Sequence, residues 1–114
     1  MSVAIGLVLD CEDPEKLADF WAPALGYVNV GSAGSYTLLA DPDGQRPKLL
    51  LQRVAEPKTG KNRMHFDIET PDVATEATRL EQLGARRTGA HEEHGTNWVV
   101  MADPAGNEFC VCAG

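Results

Sequence analysis

Two short runs of this sequence alternate apolar residues with polar side chains that could do chemistry. The first run has His65 and Asp67 on either side of a phenylalanine, and the second has Glu108 and Cys110 in the same arrangement. Because successive side chains of a β-strand point to opposite faces, the polar members of each run share one face of a sheet. Histidine titrates near neutral pH and a carboxylate can orient it, so we predict that His65 and Glu108 are catalytic residues for proton transfer. The alternative for His65 is a purely structural hydrogen bond to Asp67 or Glu108.

A second group of side chains is suited to holding a ligand. Trp98 and Tyr36 begin corresponding strands in the two halves of the chain, where their rings could form a wall for a planar ligand or pack in the core. Gln52 could hydrogen-bond a ligand or satisfy its strand neighbours. With Asp67 and Cys110, these residues make up the predicted ligand-binding set.

Two further clusters lack the spacing of a recognised site. His91–His94 has its histidines three residues apart in a turn-rich segment, whereas the zinc-protease motif needs them four apart on a helix. We interpret this segment as a solvated hairpin tip or as a lip over a pocket. Among three cysteines, Cys110 and Cys112 lie two apart in a predicted strand and are poorly placed to bridge. This cysteine usage indicates a reduced, cytoplasmic protein.

The elements that must position these side chains occur twice along the chain. Pro14 and Gly26 bracket one apolar-patterned helix, Pro71 and Gly84 bracket another at offsets of 57 and 58 residues, and the Asp-Pro turns that follow are 62 residues apart. A repeat of this length decides the architecture. Each half has the pattern of a strand, a helix and three strands. The sequence therefore predicts a single α+β domain of two βαβββ modules, 1–56 and 63–114, with a linker at 57–62 and a cleft between the modules.

Turn residues and apolar periodicity set the boundaries of the predicted elements. Asp13 is predicted to cap the first helix and Thr70 the second. The predicted strands are 3–9, 27–30, 35–40 and 48–54 in the first module, and 63–69, 85–90, 97–102 and 108–112 in the second. In each module we expect an apolar face under the helix and a second face that lines the cleft.

The composition excludes several classes of function. A chain of 114 residues is long enough for one core but not for two independent ones. Its net charge of -7 comes with no basic stripe that could neutralise phosphates, which argues against a nucleic-acid partner. No apolar run approaches the length of a membrane span, and the N-terminus lacks a signal-peptide pattern, so we expect no membrane partner.

Several segments, taken in order, resemble the vicinal oxygen chelate superfamily and, within it, the small glyoxalase-like and bleomycin-resistance-like domains. The segments that carry the resemblance are Asp13–Trp21, Ala24–Tyr27, Pro47–Val54, Met64–Asp67 and Trp98–Phe109. The resemblance implies paired βαβββ units whose strands curl around a pocket, commonly completed by homodimerisation. It also implies a small-molecule ligand. Members include metal-dependent lyases, isomerases and ring-cleaving dioxygenases, and metal-free proteins that sequester antibiotics such as bleomycin.

The resemblance also defines where a metal would be bound. Metal-using members take four inward His or Glu ligands, one each from the first and last strands of both modules. The matching positions of this sequence hold Gly6 or Val8, a residue near Gln52, His65 and Cys110. This set is poor for octahedral coordination by oxygen and nitrogen. We expect no tight catalytic metal; if a divalent metal binds, the predicted ligands are His65, Glu108 and Gln52.

Three classes of function follow. The first is a glyoxalase-like protein without a tight metal that holds a small organic ligand, aromatic or otherwise, for sequestration or for acid–base chemistry through His65. The second is a metal-dependent lyase, isomerase or dioxygenase, and the third is a non-catalytic interaction module. We favour the first because the inward metal ligands are incomplete, while a purely structural sheet would not need His65 and Glu108 on its inner face. Whether the protein is an enzyme is left open.

Overall fold

The computed structural model describes residues 4–114, which form two copies of a βαβββ arrangement. The first copy consists of β1 (Leu7–Cys11), α1 (Pro14–Leu25), β2 (Val28–Ala33), β3 (Tyr36–Ala40) and β4 (Leu49–Arg53). The second consists of β5 (Asp67–Thr70), α2 (Val73–Leu83), β6 (Arg86–Glu93), β7 (Thr96–Ala102) and β8 (Glu108–Ala113). The predicted α+β class and the doubled order are confirmed. Part of the first predicted strand lies outside the described residues, and the observed strand begins at Leu7.

Each copy forms its own four-stranded mixed sheet. The strand orders are β1-β4-β3-β2 and β5-β8-β7-β6, so corresponding strands have the same neighbours in both sheets. The first and last strands of each copy pair in parallel, and the other pairs are antiparallel. The chain divides into two compact units, one ending at Pro57 and the other spanning Lys58–Gly114. The segment predicted as a linker therefore contributes most of its residues to the second unit.

The first helix begins and ends where the sequence predicts. Asp13 has an extended backbone, and its carboxylate accepts a hydrogen bond from the backbone N–H of Lys16 at 3.2 Å. Gly26 ends the helix in the left-handed conformation at φ 68°, which glycine adopts without steric cost. The apolar stripe that faces the sheet is buried and consists of Leu17, Ala18, Phe20, Trp21 and Ala24.

The second helix begins two residues later than predicted. The cap is Asp72, whose carboxylate accepts hydrogen bonds from the backbone N–H and the hydroxyl of Thr75 at 3.1 and 2.8 Å. The predicted cap, Thr70, is the last residue of β5, and its hydroxyl accepts a hydrogen bond from the N–H of Asp72. Thr70 was therefore the wrong choice, because the strand extends to it and an aspartate two residues on is an equally good cap.

Both hairpins are longer and their turns are tighter than predicted. Strand β2 reaches Ala33 and β6 reaches Glu93, so each connection has only two residues. In the second hairpin these residues are His94 and Gly95, with φ of 54° and 76°, as the twist of a two-residue hairpin requires. The prediction of a turn over His91–Thr96 was wrong, because its first half continues the strand ladder.

The two Asp-Pro turns are held by buried carboxylates. Asp41 accepts hydrogen bonds from the backbone N–H groups of Asp43, Gln45 and Arg46 and from the Arg46 guanidinium. The Arg46 hydrogen bond, followed by the backbone donors, lowers the pKa of Asp41 from 3.8 to about 2. In the second copy, Asp103 accepts from the backbone N–H groups of Ala105 and Asn107, both at 2.9 Å. This part of the repeat is therefore structural.

Each sheet buries the face under its helix and leaves the other face accessible. The helix-side core includes Leu39, Leu49 and Leu51 in the first sheet, and Met101, Phe109 and Val111 in the second. We call the opposite surfaces the open face of the first sheet and the open face of the second sheet. Within residues 4–114, neither helix is long and apolar enough to cross a membrane.

Candidate functional site

The side chains on the open face of the second sheet lie in two rows that run across the strands. The first row is Asp67 on β5, Cys110 on β8 and Val100 on β7. The second row is Glu69 on β5, Cys112 on β8, Trp98 on β7 and His91 on β6. Because residues paired across neighbouring strands point to the same side, both rows lie on one surface.

His65 joins the first row just before β5 begins. Its Nε2 lies 3.3 Å from Oδ1 of Asp67. The nearest ligand-type atoms of His65, Asp67 and Cys110 all lie within 4.8 Å of one another. The side chains of His65 and Asp67 are 43% and 55% exposed, so solvent and small molecules can reach them. The structure thus brings together three residues that the sequence predicted for the site.

The segment that carries His65 is not a strand, which corrects the predicted strand 63–69. Its ladder with β8 starts only at Asp67, although the N–H of Cys110 also donates to the carbonyl of Phe66 at 2.9 Å. Before that point the chain bends, and Met64, expected under the helix, is 69% exposed. His65 therefore reaches the open face from the irregular stretch between this bend and β5, rather than from the pleat of a sheet.

Glu108 has partners other than His65. Its two carboxylate oxygens accept hydrogen bonds from Nζ of Lys58 and from the backbone N–H of Asn62, both at 3.0 Å. Partial burial works to raise the pKa of Glu108, but these two donors together lower it. The observed contacts pair His65 with Asp67 and tie Glu108 to the segment that precedes His65. The catalytic role of His65 and Glu108 stays a prediction.

Trp98 forms an aromatic pair that the sequence analysis missed. Its ring is stacked on the imidazole of His91, with centroids 5.5 Å apart and planes 23° apart. Trp98 is half-buried, whereas His91 is exposed. A Cβ atom on Gly89 would lie 3.2 Å from Nε2 of His91, so the glycine leaves the space in which the imidazole lies. Placing the turn at His94 and Gly95 would have put His91 opposite Trp98 and revealed the pair.

The two thiols of the open face are poor nucleophiles. Burial, and secondly the negative charge of Asp67, raise the pKa of both Cys110 and Cys112. Both thiols are therefore protonated at neutral pH, whereas a reactive cysteine is a thiolate. Without a metal or another cation, the contribution of Cys110 to this surface is a polarisable, weakly polar contact.

The open face of the first sheet has a different character at the same positions. Its rows are Val8, Leu50 and Leu38, and Asp10, Gln52 and Tyr36. By strand order and pairing, Tyr36 matches Trp98, as predicted. Gln52, however, matches Cys112, and the residue that matches Cys110 is Leu50. The structure brings Gln52 and Tyr36 together as cross-strand neighbours, both in the first unit.

Comparison with known proteins identifies the family. A family model described as "Glyoxalase-like domain" matches residues 6–112 of this chain. The chain belongs to the glyoxalase-like domain family. Comparison with curated protein sequences gave no match. The match confirms the predicted resemblance to the vicinal oxygen chelate superfamily.

Solved structures similar to this glyoxalase-like domain share its fold. A glyoxalase-related enzyme from Fulvimarina pelagi is 21% identical with a TM-score of 0.73, over 99% of this chain and 88% of that one. Lactoylglutathione lyase from Agrobacterium tumefaciens is 22% identical with a TM-score of 0.71, over 100% and 95%. A glyoxalase/bleomycin resistance protein/dioxygenase family enzyme from Burkholderia phytofirmans PsJN is 14% identical with a TM-score of 0.75, over 94% of each chain. At these identities the likeness establishes the fold alone.

The residues of this domain do not fit the four-ligand metal centre that the superfamily implies. By strand pairing, Val8 and Leu50 of the first unit match Asp67 and Cys110 of the second unit. Gly6 lies two residues before Val8, so it matches His65. At these positions the first unit has Gly6 and Leu50, which cannot ligate a metal, whereas a metal-using member has His or Glu. Among residues 4–114, the cluster of three or more potential ligand side chains consists of His65, Asp67 and Cys110, which all belong to the second unit.

Proposed function

We propose that this glyoxalase-like domain binds a small planar organic molecule on the open face of its second sheet, without the four-ligand metal centre of the superfamily. The observation that carries the proposal is the stacked pair of His91 and Trp98, which shares this face with His65 and Asp67. The function is to sequester the molecule or to move a proton on it.

The two parts of the face suit different parts of one ligand. Trp98 offers an aromatic surface, and ring stacking adds about 0.5–1.5 kcal/mol beyond the burial of apolar area. Two strand spacings of about 4.8 Å separate β7 from β5, and the rows of Trp98 and Asp67 lie about 6.6 Å apart along the strands, so a ligand of roughly 12 Å would reach from Trp98 to Asp67. Its aromatic part would lie on Trp98, and its polar group would contact His65.

Asp67 supports an acid–base role for His65. A carboxylate 3.3 Å from Nε2 can orient the imidazole, so the other ring nitrogen can face a ligand. We assign the orienting role to Asp67 because Glu108 already accepts hydrogen bonds from Lys58 and Asn62. The ligand-binding roles of Gln52 and Tyr36 stay predictions.

A fluorescence titration tests the proposal. The protein has two tryptophans, and Trp21 is buried on the sheet-facing side of α1, so a planar ligand on the open face should change the emission of Trp98. Ligands are first selected from planar heteroaromatic carboxylates and phenols by thermal shift. For the variants the affinity is measured by isothermal titration calorimetry, because Trp98→Ala lacks the reporting ring, and Trp98→Ala should weaken binding about tenfold, since 1.4 kcal/mol is a factor of ten. The control is Asn97→Ala, the exposed neighbour on the other face of β7. Equal affinity of both variants would refute the proposed surface.

We also propose that the protein is a homodimer in the cytoplasm. The exposed apolar side chains of Val8, Val28 and Val30 in the first unit support self-association, because burying them against a second copy removes apolar area from water. Light scattering coupled to size-exclusion chromatography tests the dimer. A monomer at tens of micromolar protein would contradict it.

A further inference from the structure

We infer that β6 (Arg86–Glu93) pairs edge to edge with β6 of a second copy of this chain, antiparallel and related to it by a two-fold axis at Ala90. The inference rests on the proposed homodimer, for which it names the contact, and it requires neither the planar ligand nor any residue of the first unit. Three features of β6 carry it: a free edge, the order of charges along the strand and the bulge at Thr88.

Strand β6 is an exposed edge of the second sheet. It lies at one end of the strand order β5-β8-β7-β6, and within residues 4–114 the strand that pairs with it is β7. Seven of its eight residues are exposed, and the eighth, Gly89, is half-buried. The outer side of such a strand presents backbone N–H and C=O groups that can pair with another strand.

The charges of β6 are separated by sign along the strand. It begins with Arg86 and Arg87 and ends with Glu92 and Glu93. Charged side chains usually protect an exposed edge from pairing with another strand. Here an antiparallel second copy brings the glutamate end of one strand to the arginine end of the other, so the charges attract each other. Strand β2, the matching edge of the first sheet, has no charged residue.

The bulge in β6 brings both arginines into register with the glutamates. Arg87 and Gly89 pair with consecutive residues of β7, so Thr88 is the additional residue of the ladder. When the two-fold axis passes through Ala90 and Thr88 is left out of the pairing, Arg87 lies opposite Glu92 of the second copy. By the same count, Arg86 lies opposite Glu93 of the second copy.

The two residues of each pair also point to the same side of the sheet. Their pairing with β7 places Arg87 and Glu92 on the side of α2, and Arg86 and Glu93 on the open face. Residues that are an odd number of positions apart in a regular strand point to opposite faces, so these pairs could not form without the bulge. Because opposed residues of antiparallel strands point to one side, both pairs can form with it.

The charged side chains are available for these contacts. Within residues 4–114, Arg86 and Glu92 form no ion pair, and the ion-pair partner of Glu93 is the imidazole of His94 at 3.4 Å. Nε of Arg87 lies 3.0 Å from Glu81 of α2, and the guanidinium has further N–H groups for a second carboxylate. A two-fold axis repeats each contact, so two copies would share four ion pairs.

This contact would join two second sheets into one sheet of eight strands, in the order β5-β8-β7-β6-β6-β7-β8-β5. A two-fold axis perpendicular to the sheet keeps both open faces on the same side. The stacked pairs of His91 and Trp98 from the two copies would then lie on one continuous surface.

Charge reversal with rescue tests the contact. The dissociation constant of the dimer is measured by analytical ultracentrifugation over a dilution series. Arg86→Glu and Glu93→Arg each place like charges opposite one another at two symmetric positions. Each should weaken the dimer at least tenfold, which corresponds to about 1.4 kcal/mol over the two positions. An equimolar mixture of the two variants should restore a heterodimer of about wild-type affinity, because its opposed charges are again of opposite sign.

Two measurements serve as controls for the reversal. Lys16→Glu changes the net charge as Arg86→Glu does but lies on the exposed surface of α1, so it should dimerise as the wild type does. Circular dichroism checks that each variant is folded. If a charge variant does not fold, cross-linking of Ala90→Cys decides. Opposed Cα atoms at the axis would lie about 4.5–5.5 Å apart, within the range of a disulfide, so mild oxidation should yield a covalent dimer. Asn97→Cys, on β7, should not yield one.

Equal dissociation constants for Arg86→Glu and Lys16→Glu would overturn the inference. So would a mixture of Arg86→Glu and Glu93→Arg that shows no rescue, or an Ala90→Cys variant that does not cross-link. If the wild type is a dimer in these experiments, the homodimer stands and only the β6 contact is refuted. A monomeric wild type would contradict both the homodimer and its contact.

Discussion

Removing the carboxylate of Asp103 should destabilise the protein by about 3 kcal/mol, because each of its two bonds to Asn107 is a hydrogen bond to a charged acceptor worth at least about 1.5 kcal/mol. Oδ1 of Asp103 accepts from the backbone N–H of Asn107 at 2.9 Å, and Oδ2 accepts from its side-chain amide at 3.2 Å. Both residues are buried, so in Asp103→Ala water cannot easily replace the lost acceptor. The N–H of Ala105 is half-buried and also loses its hydrogen bond to Asp103, but water can replace that acceptor.

The assay is thermal unfolding followed by circular dichroism. For a chain of 114 residues, an unfolding entropy of about 2.1 cal/mol/K per residue makes 1 kcal/mol equivalent to about 4 °C, so Asp103→Ala should lower Tm by roughly 12 °C. Asp103→Asn keeps one acceptor oxygen and should lose about half as much. Asp43→Ala is the control, because Asp43 is exposed and occupies the turn position of Ala105; we expect a change within about 0.5 kcal/mol. Equal Tm values for Asp103→Ala and Asp43→Ala would refute the reasoning.

Two further predictions concern the helix cap and the first Asp-Pro turn. Asp72→Ala removes the acceptor for Thr75 and should cost about 1 kcal/mol in urea unfolding, whereas Thr70→Ala should cost less. The folded pKa of Asp41 is about 2, below its ordinary 3.8, so its contribution to stability is complete above about pH 4 and is lost as the pH falls toward about 2. Arg46→Met should weaken this acid dependence, because the Arg46 hydrogen bond is the largest cause of the shift.

Each of these predictions has an opposite outcome. A larger loss of unfolding free energy in Thr70→Ala than in Asp72→Ala would show that Thr70 is the helix cap. An Arg46→Met variant whose stability falls between pH 4 and 2 as steeply as that of the wild type would show that the guanidinium does not lower the pKa of Asp41.

The doubled fold could be predicted because the residues that bound its helices and begin its turns occur in both copies. Proline and glycine bracket each helix, Asp-Pro begins each turn, and the alternation in Glu108–Cys112 predicts which side chains are buried. These signals act locally, through steric limits on the backbone and through the burial of apolar side chains. They give the order of the elements without any knowledge of strand pairing.

The boundaries and the site depend on pairing, which the sequence does not display. The predicted strand 63–69 begins only at Asp67, and the segment before it is held at Asn62 by a hydrogen bond to Glu108, a contact between residues 46 positions apart. His91 was assigned to a turn because it lies in a polar segment that is followed by Gly95, yet the ladder extends through it. The position that corresponds to Cys110 was predicted only as near Gln52, because the repeat offset varies between 57 and 62, and strand pairing places it at Leu50.

The central claim is that the open face of the second sheet binds a planar ligand. Amide chemical-shift mapping, with the ligand that most stabilises the metal-free protein, tests it most directly. The account predicts that the largest shifts lie on β7 and β8, at Trp98, Cys110 and Cys112, with a further shift at His65. Shifts confined to the helices, or to strands of the first sheet, would contradict it.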